Sequence, residues 1–503
     1  MLELKIVFRT STGNKKRLEL TKMATPNEFF KGSKHGFEFI NLDGLCKTLG
    51  IAEPPLRFFI GIVMGFPFAL IFLLLPRKAA NFRHLYIALC GMLISYFCFG
   101  TDMVFPLLSV LVTHISLIFF GGTMANVIFN FLFHMTYMLG AYVFYASDGY
   151  DVKWTTPQCI LCLRLIGLAW DCYDGKKDKS KLKGELLLTR YEGTPTFLEI
   201  CGYSYFFGGF MAGPQFSFQR YIKFVEDRLI DKEGLEAKNS RFFSAFKRVV
   251  GGLVAIAVFS IYDPQYPASA LHGEEFLAKP FFTKCTQITL TYHIHFCKYV
   301  TIWYFCESVC MITGLAYAGT KDGKAKWDGV RNFKFRRVLF GAFFQDMLEG
   351  FNINTSQWAG RYVFKRLIFL GNKYASHVLT LLFLSLWHGF YIGYLILFAI
   401  EFILIIEERQ LCLLLGALFN TKYDDLPLPL RLAINIFGAV FRAYACAFAA
   451  AAFMLLRWRR IKIAYGAVYY WLPITLVVGA VLILLLQQVV AAKKRKEKDG
   501  KKD

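Results

Sequence analysis

The stretch Leu384-Ser385-Leu386-Trp387-His388-Gly389 lies within a 27-residue run, 374–400, that contains no Asp, Glu, Lys or Arg. A run of this length can cross roughly 30 Å of hydrocarbon as one helix, which would put His388 near the bilayer midplane at about 1.5 Å rise per residue. A titratable group at that depth is costly unless it contacts protein or a water-filled cavity, so His388 is a candidate functional residue. The alternative is a buried histidine that a neighbouring helix satisfies.

The composition extends the membrane interpretation to the whole chain. Of its 503 residues, 56% are hydrophobic and 17% aromatic, more than in ordinary soluble domains. We predict an all-α polytopic membrane protein with about eleven transmembrane helices, joined by re-entrant or interfacial helices. The 45-residue uncharged run 103–147 predicts two helices that break at Gly121-Gly122-Thr123. The other predicted apolar segments are 58–76, 84–101, 157–172, 197–213, 246–263, 287–319, 427–457 and 463–492.

The net charge of +22 is concentrated in loops and at the C-terminus. In a membrane protein this excess indicates cytosolic loops and contact with anionic lipid, and not a nucleic-acid partner. The lysine-rich loop 176–183 is then cytosolic. The pattern predicts three regions: a cytosolic or interfacial segment 1–53, a single membrane-embedded domain 54–492 and a basic cytosolic tail 493–503.

Residues 321–372 alternate aromatic with basic side chains. At helical spacing Arg361, Lys365 and Arg366 share one side, with Trp358 and Tyr362 beside it. This pattern predicts an amphipathic element at the cytosolic interface. Its cations can bind an anionic ligand, or they can simply anchor the element at the membrane surface.

Few other polar residues lie in strongly apolar surroundings. Glu307 and Arg442 are each candidates either for a proton carrier or for a structural ion-pair partner, and Asn352 lies near a predicted helix boundary. The pair His293 and His295 has no further ligands at metal-site spacing, and we predict no metal site. The 13 cysteines lie mostly in apolar segments and are interpreted as packing residues.

The sequence contains neither a Walker-type phosphate loop nor a G-x-S-x-G serine motif. What remains is a deep histidine and a carboxamide. A neutral imidazole can accept a proton from a hydroxyl, and burial disfavours its charged form. An asparagine such as Asn352 can donate hydrogen bonds to an oxygen that gains charge in the transition state.

Trp387-His388-Gly389, with Asn352 lying 36 residues upstream, resembles the membrane-bound O-acyltransferase family. The blocks Phe351-Asn352-Ile353-Asn354-Thr355 and Phe369-Leu370-Gly371-Asn372-Lys373 are similar to its lysophospholipid acyltransferase branch, of the lysophosphatidylcholine acyltransferase type. So are Gly213-Pro214-Gln215-Phe216 and Glu307-Ser308-Val309-Cys310. The resemblance covers roughly residues 55–490 and implies the family fold, with its helices arranged around an intramembrane reaction chamber.

The resemblance implies transfer of a fatty acyl group from acyl-CoA to the sn-2 hydroxyl of a lysophospholipid in the endoplasmic reticulum membrane. Acyl-CoA is then a co-substrate, and no cofactor is required. His388 would act as general base, and Asn352 would hold or polarise a reacting group. Arg361, Lys365 and Arg366, with Trp358 and Tyr362 nearby, become candidate acyl-CoA contacts, and Trp387 and Glu307 become candidates for the chamber wall.

Two rival functions remain. One is a membrane-bound acyltransferase whose acceptor is a protein or a sterol, and which would share His388 but not the 351–373 block. The other is a lipid or proton transporter that uses His388, Glu307 and Arg442, although the internal repeats typical of transporters are not evident. Self-association as a homo-oligomer is left open.

Overall fold

The computed structural model describes residues 40–145, 152–419, 421 and 423–499, with the backbone alone for residue 424 and residues 493–499. Most of the predicted segment 1–53 therefore lies outside the described residues. The described chain is almost entirely helical. Its α-helices are α1 (Asp43–Leu49), α2 (Glu53–Phe72), α3 (Ala80–Phe99), α4 (Val104–Phe120), α5 (Met124–Phe144), α6 (Thr155–Gly175), α7 (Glu185–Thr189), α8 (Phe197–Ser204), α9 (Phe218–Val225), α10 (Lys232–Glu236), α11 (Ser240–Tyr262), α12 (Glu274–Ala278), α13 (Phe281–Thr313), α14 (Phe335–Phe340), α15 (Phe344–Gly350), α16 (Ile353–Tyr362), α17 (Lys373–His388), α18 (Ile392–Phe419), α19 (Leu428–Leu455), α20 (Trp458–Ala467) and α21 (Trp471–Asp499).

Short elements complete the architecture. Strands β1 (Thr320–Lys321) and β2 (Lys324–Ala325) pair antiparallel, a small exception to the predicted all-α class. The turn between them is Asp322-Gly323, and both residues have positive φ, as a tight two-residue hairpin requires. Five 3₁₀ helices lie in the described residues, at Gly100–Met103, Lys179–Lys181, Ala268–His272, Phe364–Leu370 and Tyr423–Asp425.

Six apolar segments of the described chain are long and apolar enough to cross a membrane, so the predicted count of about eleven is not confirmed. They are Glu53–Phe72, Ala80–Phe120, Met124–Phe144, Ser240–Tyr262, Leu428–Leu455 and Trp471–Ala492. Several features contribute to the lower number. Ala80–Phe120 is counted once, although it contains both α3 and α4, which are predicted as separate helices. The segment predicted at 197–213 forms only the short helix α8, and α18 includes the acidic residues Glu401, Glu407 and Glu408.

One predicted boundary is confirmed by local chemistry. The run 103–147 divides into α4 and α5, because Gly121 has a φ of +56° and the Thr123 side chain accepts a hydrogen bond from the N–H of Asn126. The helix α21 continues through residue 492 to Asp499, so the predicted tail 493–503 does not begin at a helix end.

The predicted single helix over 374–400 is wrong. The chain forms two helices there, α17 and α18, with a break at Gly389, whose φ is +126° and ψ is −173°. This conformation is open to glycine and strained for other residues. His388 is therefore the last residue of its helix and does not lie in the middle of a span.

A hydrophobic cluster brings together four helices around the candidate site. It joins α5, α6, α16 and α17, and its buried members are Met135, Met138, Cys162, Leu163, Ile166, Trp358, Ala359, Tyr362, Val363, Phe383 and Trp387. A second cluster packs α13 against α18 and α19. The helices that carry Asn352 and His388 are thus fixed against the rest of the protein by apolar packing.

Candidate functional site

Trp387 anchors the end of α17 to two neighbouring helices. Its side chain is 5% exposed, and its Nε1–H donates to the backbone oxygen of Cys159 on α6 at 3.0 Å. The hydroxyl of Tyr142 on α5 donates to the backbone oxygen of Trp387 at 3.2 Å. Two long-range hydrogen bonds therefore hold the backbone immediately before His388.

The imidazole of His388 lies among aromatic rings. Ring centroids of Tyr394 and Phe398 on α18 lie 5.4 and 5.8 Å from it, and that of Phe453 on α19 lies at 5.4 Å. Within the described part of the chain, no carboxylate or hydrogen bond holds the ring, and its side chain is partly exposed. A proton acceptor with apolar walls and an open side is suited to meet a hydroxyl group of a lipid.

Asn352 starts the helix α16 in an unusual backbone conformation. Its φ of +45° and ψ of +43° are left-handed, which asparagine tolerates better than most residues. The flanking backbone pairs with an upstream segment: Phe333 and Phe351 form an antiparallel bridge, and the N–H of Lys334 donates to the oxygen of Gly350 at 2.8 Å. Asn352 is itself partly exposed.

Two ring contacts indicate how the segment 352–364 pairs with α17, and from them we infer that Asn352 and His388 lie at the same end of that pair. The rings of Phe364 and His377 lie 6.2 Å apart, and those of Trp358 and Phe383 lie 5.7 Å apart. Trp358 lies six residues before Phe364, and its partner Phe383 lies six residues after His377, so the two segments run antiparallel. Asn352 lies six residues before Trp358. Gly389, the neighbour of His388, lies six residues after Phe383.

Comparison with known proteins identifies the family of the chain. A sequence model of the membrane-bound O-acyltransferase family matches residues 138–458, which include both Asn352 and His388. Human lysophospholipid acyltransferase 5 is 41% identical over 377 residues, covering 75% of this chain and 77% of the relative. The chain belongs to the membrane-bound O-acyltransferase family. It is an acyltransferase, and the family predicted from the sequence is confirmed.

Similarity to this acyltransferase extends to more distant organisms. Lysophospholipid acyltransferase 5 of Drosophila melanogaster is 31% identical over 86% of this chain and 87% of the relative. Lysophospholipid acyltransferase 1 of Arabidopsis thaliana is 24% identical over 88% of this chain and 96% of the relative. The similarity therefore covers most of the length of each protein.

The three predicted basic contacts of the acyltransferase already have acidic partners. Arg361 Nη2 and Lys365 Nζ lie 3.4 and 3.5 Å from the same Glu185 carboxylate oxygen, which is 44% exposed at the side chain. Arg366 instead forms a two-pronged pair with Asp174, which is fully buried. An anion of higher charge can displace the Glu185 carboxylate from Arg361 and Lys365. The pair of Arg366 with Asp174 instead joins the chain after α16 to α6.

The predicted aromatic contacts Trp358 and Tyr362 are buried, 5% and 4% exposed. Trp358 packs against Phe383, and the Tyr362 hydroxyl donates to Oδ1 of Asp171 at 2.6 Å. Trp358 therefore packs against α17, Tyr362 contacts α6, and both belong to the hydrophobic cluster. The sequence pattern alone could not separate packing from ligand contact.

Glu307 and Arg442 also have structural partners. Glu307 is fully buried, accepts a hydrogen bond from the N–H of Asn332 at 2.6 Å and lies 3.1 Å from Arg248 Nε. Arg442 donates to the backbone oxygen of Gly341 at 2.7 Å, at the end of α14. Glu307 therefore has a cationic partner, as its structural alternative predicted, and Arg442 is held by backbone carbonyl groups.

The two histidines considered for a metal point to separate partners. His293 Nδ1 lies 2.8 Å from the backbone oxygen of Thr289, and His295 Nδ1 lies 3.3 Å from Asp263. No group of three or more His, Cys, Asp or Glu side chains that could hold a metal ion occurs in the described ranges.

Some residues that hold the candidate site lie far from it along the chain and are not indicated by any sequence pattern. Asn332 contacts the 352–354 segment, and Tyr142 contacts Trp387 across 245 residues of chain. Asn332 lies in the aromatic and basic section 321–372, but no spacing rule connects it with Asn352. No sequence pattern connects Tyr142 with Trp387.

Proposed function

We propose that this acyltransferase transfers a fatty acyl group from acyl-CoA to the free sn-2 hydroxyl of a lysophospholipid. Lysophosphatidylcholine is the first acceptor to test, and lysophosphatidylethanolamine and lysophosphatidylserine are further candidates. The observation that carries the proposal is the pairing of Trp358 with Phe383 and of Phe364 with His377, from which the common end for His388 and Asn352 is inferred. The similarity to lysophospholipid acyltransferases 5 and 1 supports this acceptor class.

His388 is the proposed general base. Its imidazole takes the proton of the acceptor hydroxyl while that oxygen attacks the thioester carbonyl carbon. The carbon–sulfur bond then breaks, and the CoA thiolate leaves and receives the proton from the imidazolium. The aromatic rings of Tyr394, Phe398 and Phe453 limit access of water, which would otherwise hydrolyse the thioester.

Asn352 is the proposed second catalytic residue. Its carboxamide either donates a hydrogen bond to the oxygen that becomes negative in the tetrahedral intermediate or holds the thioester in position. The left-handed backbone of Asn352 fixes the start of the side chain, so the group needs little reorganisation when substrate binds.

The phosphates of CoA are proposed to bind at Arg361 and Lys365. Both cations share Glu185, and a multiply charged phosphate group can replace that single carboxylate. Arg366, held by Asp174, and the buried Trp358 and Tyr362 would then support this site through packing. No cofactor takes part in the proposed reaction.

A multi-pass membrane position suits both substrates, because acyl tails can enter from lipid while the CoA head remains in water. We propose the endoplasmic reticulum membrane as the location. A homo-oligomer remains an open prediction.

A panel assay tests the acceptor class. Purified protein in nanodiscs is incubated with radiolabelled acyl-CoA and, separately, with lysophospholipids of different head groups, a sterol and a peptide bearing free hydroxyl and amino groups. We expect labelled diacyl phospholipid and equimolar free CoA. Labelling of the sterol or peptide alone would reject the proposed acceptor, and lipid movement without acyl transfer would favour the transporter.

A further inference from the structure

The side chain of Asn332 connects Asn352 with the neighbouring turn of the chain. Asn332 is 2% exposed and lies 20 residues before Asn352. Its Oδ1 accepts hydrogen bonds from the backbone N–H and from Nδ2 of Asn354, both at 3.0 Å. Its Nδ2 donates to Oδ1 of Asn352 at 3.4 Å. Both ends of the Asn332 carboxamide are thus engaged with the segment that begins α16.

Backbone groups determine which way each carboxamide points. A backbone N–H can only donate, so the group of Asn332 that meets the N–H of Asn354 must be the oxygen. The Nδ2 of Asn332 therefore points to Asn352, and the atom of Asn352 that receives it must be Oδ1. The amide nitrogen of Asn352 is left as a donor.

A buried ion pair anchors Asn332 in turn. The backbone N–H of Asn332 donates to Oε1 of Glu307 at 2.6 Å, and the other carboxylate oxygen lies 3.1 Å from Nε of Arg248. The backbone oxygen of Asn332 accepts from the N–H of Ile353 at 3.2 Å. Because Glu307 is fully buried on α13, this arrangement ties the start of α16 to a long helix of the core.

Aromatic packing holds the same junction on its apolar side. Phe351 lies with its ring centroid 4.7 Å from that of Phe296 and 5.1 Å from that of Trp303, both on α13. Phe333 lies 5.4 Å from Phe296. The residues on either side of the Asn332–Asn352 contact therefore cannot shift without disturbing this packing.

We propose that Asn332 is a positioning residue that turns the amide nitrogen of Asn352 toward the reacting carbonyl. This proposal rests on the proposed acyl transfer, and it selects one of the two roles left open for Asn352. Asn352 then donates a hydrogen bond to the developing oxyanion. Asn332 itself contacts no substrate, and the Glu307–Arg248 pair keeps its backbone in place.

The decisive variant is Asn332→Asp, which is nearly identical in shape. One carboxylate oxygen still accepts from Asn354, but the other meets Oδ1 of Asn352 and repels it. The Asn352 carboxamide then reverses, donates to the new carboxylate and presents its oxygen to the substrate. We expect kcat to fall by about 10²-fold, as after loss of one oxyanion donor, while KM for both substrates changes little.

Asn130→Asp is the matched control. Asn130 is equally buried, and its Nδ2 donates to Ser116 Oγ at 2.9 Å and to Asn126 Oδ1 at 2.8 Å on the α4–α5 pair. This variant also places a carboxylate among buried acceptors, so it reports the general effect of such a change on folding. We expect a lower melting temperature and a nearly unchanged kcat in the protein that remains folded.

A double-mutant cycle separates positioning from general support. If Asn332 acts through Asn352, Asn332→Asp has no further effect on kcat in an Asn352→Ala background. Equal losses in both backgrounds, or a kcat for Asn332→Asp within about twofold of wild type, would overturn the proposal. Should the wild type acylate another acceptor class, the proposed lysophospholipid function fails, while the same cycle run with that acceptor still decides the role of Asn332.

Discussion

Trp358 stacks on Phe383 with ring centroids 5.7 Å apart and an interplanar angle of 22°. This contact sets the register of α16 and α17, and through it the relative position of Asn352 and His388. Neither aromatic residue needs to contact substrate in order to affect the reaction, because a shift of about 1 Å in a catalytic group can reduce the rate by about 10²-fold.

Phe383→Ala is predicted to separate the two candidate catalytic groups. Phe383 is 6% exposed, so the substitution leaves a cavity beside Trp358 and permits α16 to slide along α17. We expect a lower melting temperature and a reduced kcat in the protein that remains folded. The control is Phe105→Ala, since Phe105 stacks on Trp154 with centroids 4.6 Å apart in another region. Equal kcat in the two variants would show that the Trp358–Phe383 contact does not control the relative position of Asn352 and His388.

Gly389→Ala is predicted to displace His388. The φ of +126° at Gly389 is strained for alanine, and a Cβ there would lie 3.4 Å from Tyr394 and 3.7 Å from Tyr142. The strain is on the order of 1–3 kcal/mol, and relieving it requires a change in the helix end. Gly360→Ala is the control, because Gly360 lies inside α16 and a Cβ would contact nothing within 4 Å. We expect Gly360→Ala to retain activity, and full activity of Gly389→Ala would contradict the prediction.

Glu185→Gln is predicted to strengthen acyl-CoA binding. The carboxylate competes with CoA phosphates for Arg361 and Lys365, so its neutralisation should lower KM for acyl-CoA. Arg361→Gln should raise the same KM, with a smaller effect at high salt. Glu275→Gln is the control, since Glu275 is 89% exposed at the side chain and pairs with Lys279. An unchanged KM in both Glu185→Gln and Arg361→Gln would exclude this surface as the CoA site.

Glu307→Ala is predicted to destabilise the protein more than Glu307→Gln. Alanine removes the acceptor for the N–H of Asn332 and leaves Arg248 without its carboxylate, whereas glutamine retains an acceptor oxygen. Loss of one partner of a buried ion pair costs about 3–5 kcal/mol. Melting temperatures and kcat of both variants test this. Identical values for the two would indicate that the hydrogen bond to Asn332 contributes nothing.

Sequence reasoning reached the two candidate catalytic residues but not their supports. Gly121-Gly122-Thr123 predicted a helix break correctly, because the local chemistry of a cap is contained in three neighbouring residues. The run 374–400 contains glycine at both 389 and 393, and the local sequence does not distinguish Gly389, which ends α17 with a φ of +126°, from Gly393, which lies inside α18. Contacts between distant segments leave no local pattern.

The basic residues illustrate the same limit. Helical spacing grouped Arg361, Lys365 and Arg366 on one side, yet Arg366 pairs with Asp174, 192 residues away, while the other two share Glu185. Charge patterning predicted where cations occur along the chain. It could not predict that the buried carboxylate of Asp174 would pair with Arg366.

His388 is proposed to remove the proton of the acceptor hydroxyl, and the rate of acyl transfer by His388→Ala measures that contribution. The matched control is His377→Ala on the same helix, whose ring also packs among aromatic side chains, with centroids 6.2 Å from Phe364 and 5.3 Å from Phe402. We predict that His388→Ala lowers kcat by about 10²-fold or more while His377→Ala remains close to wild type. Acyl transfer at the wild-type rate by folded His388→Ala would show that His388 is not the general base.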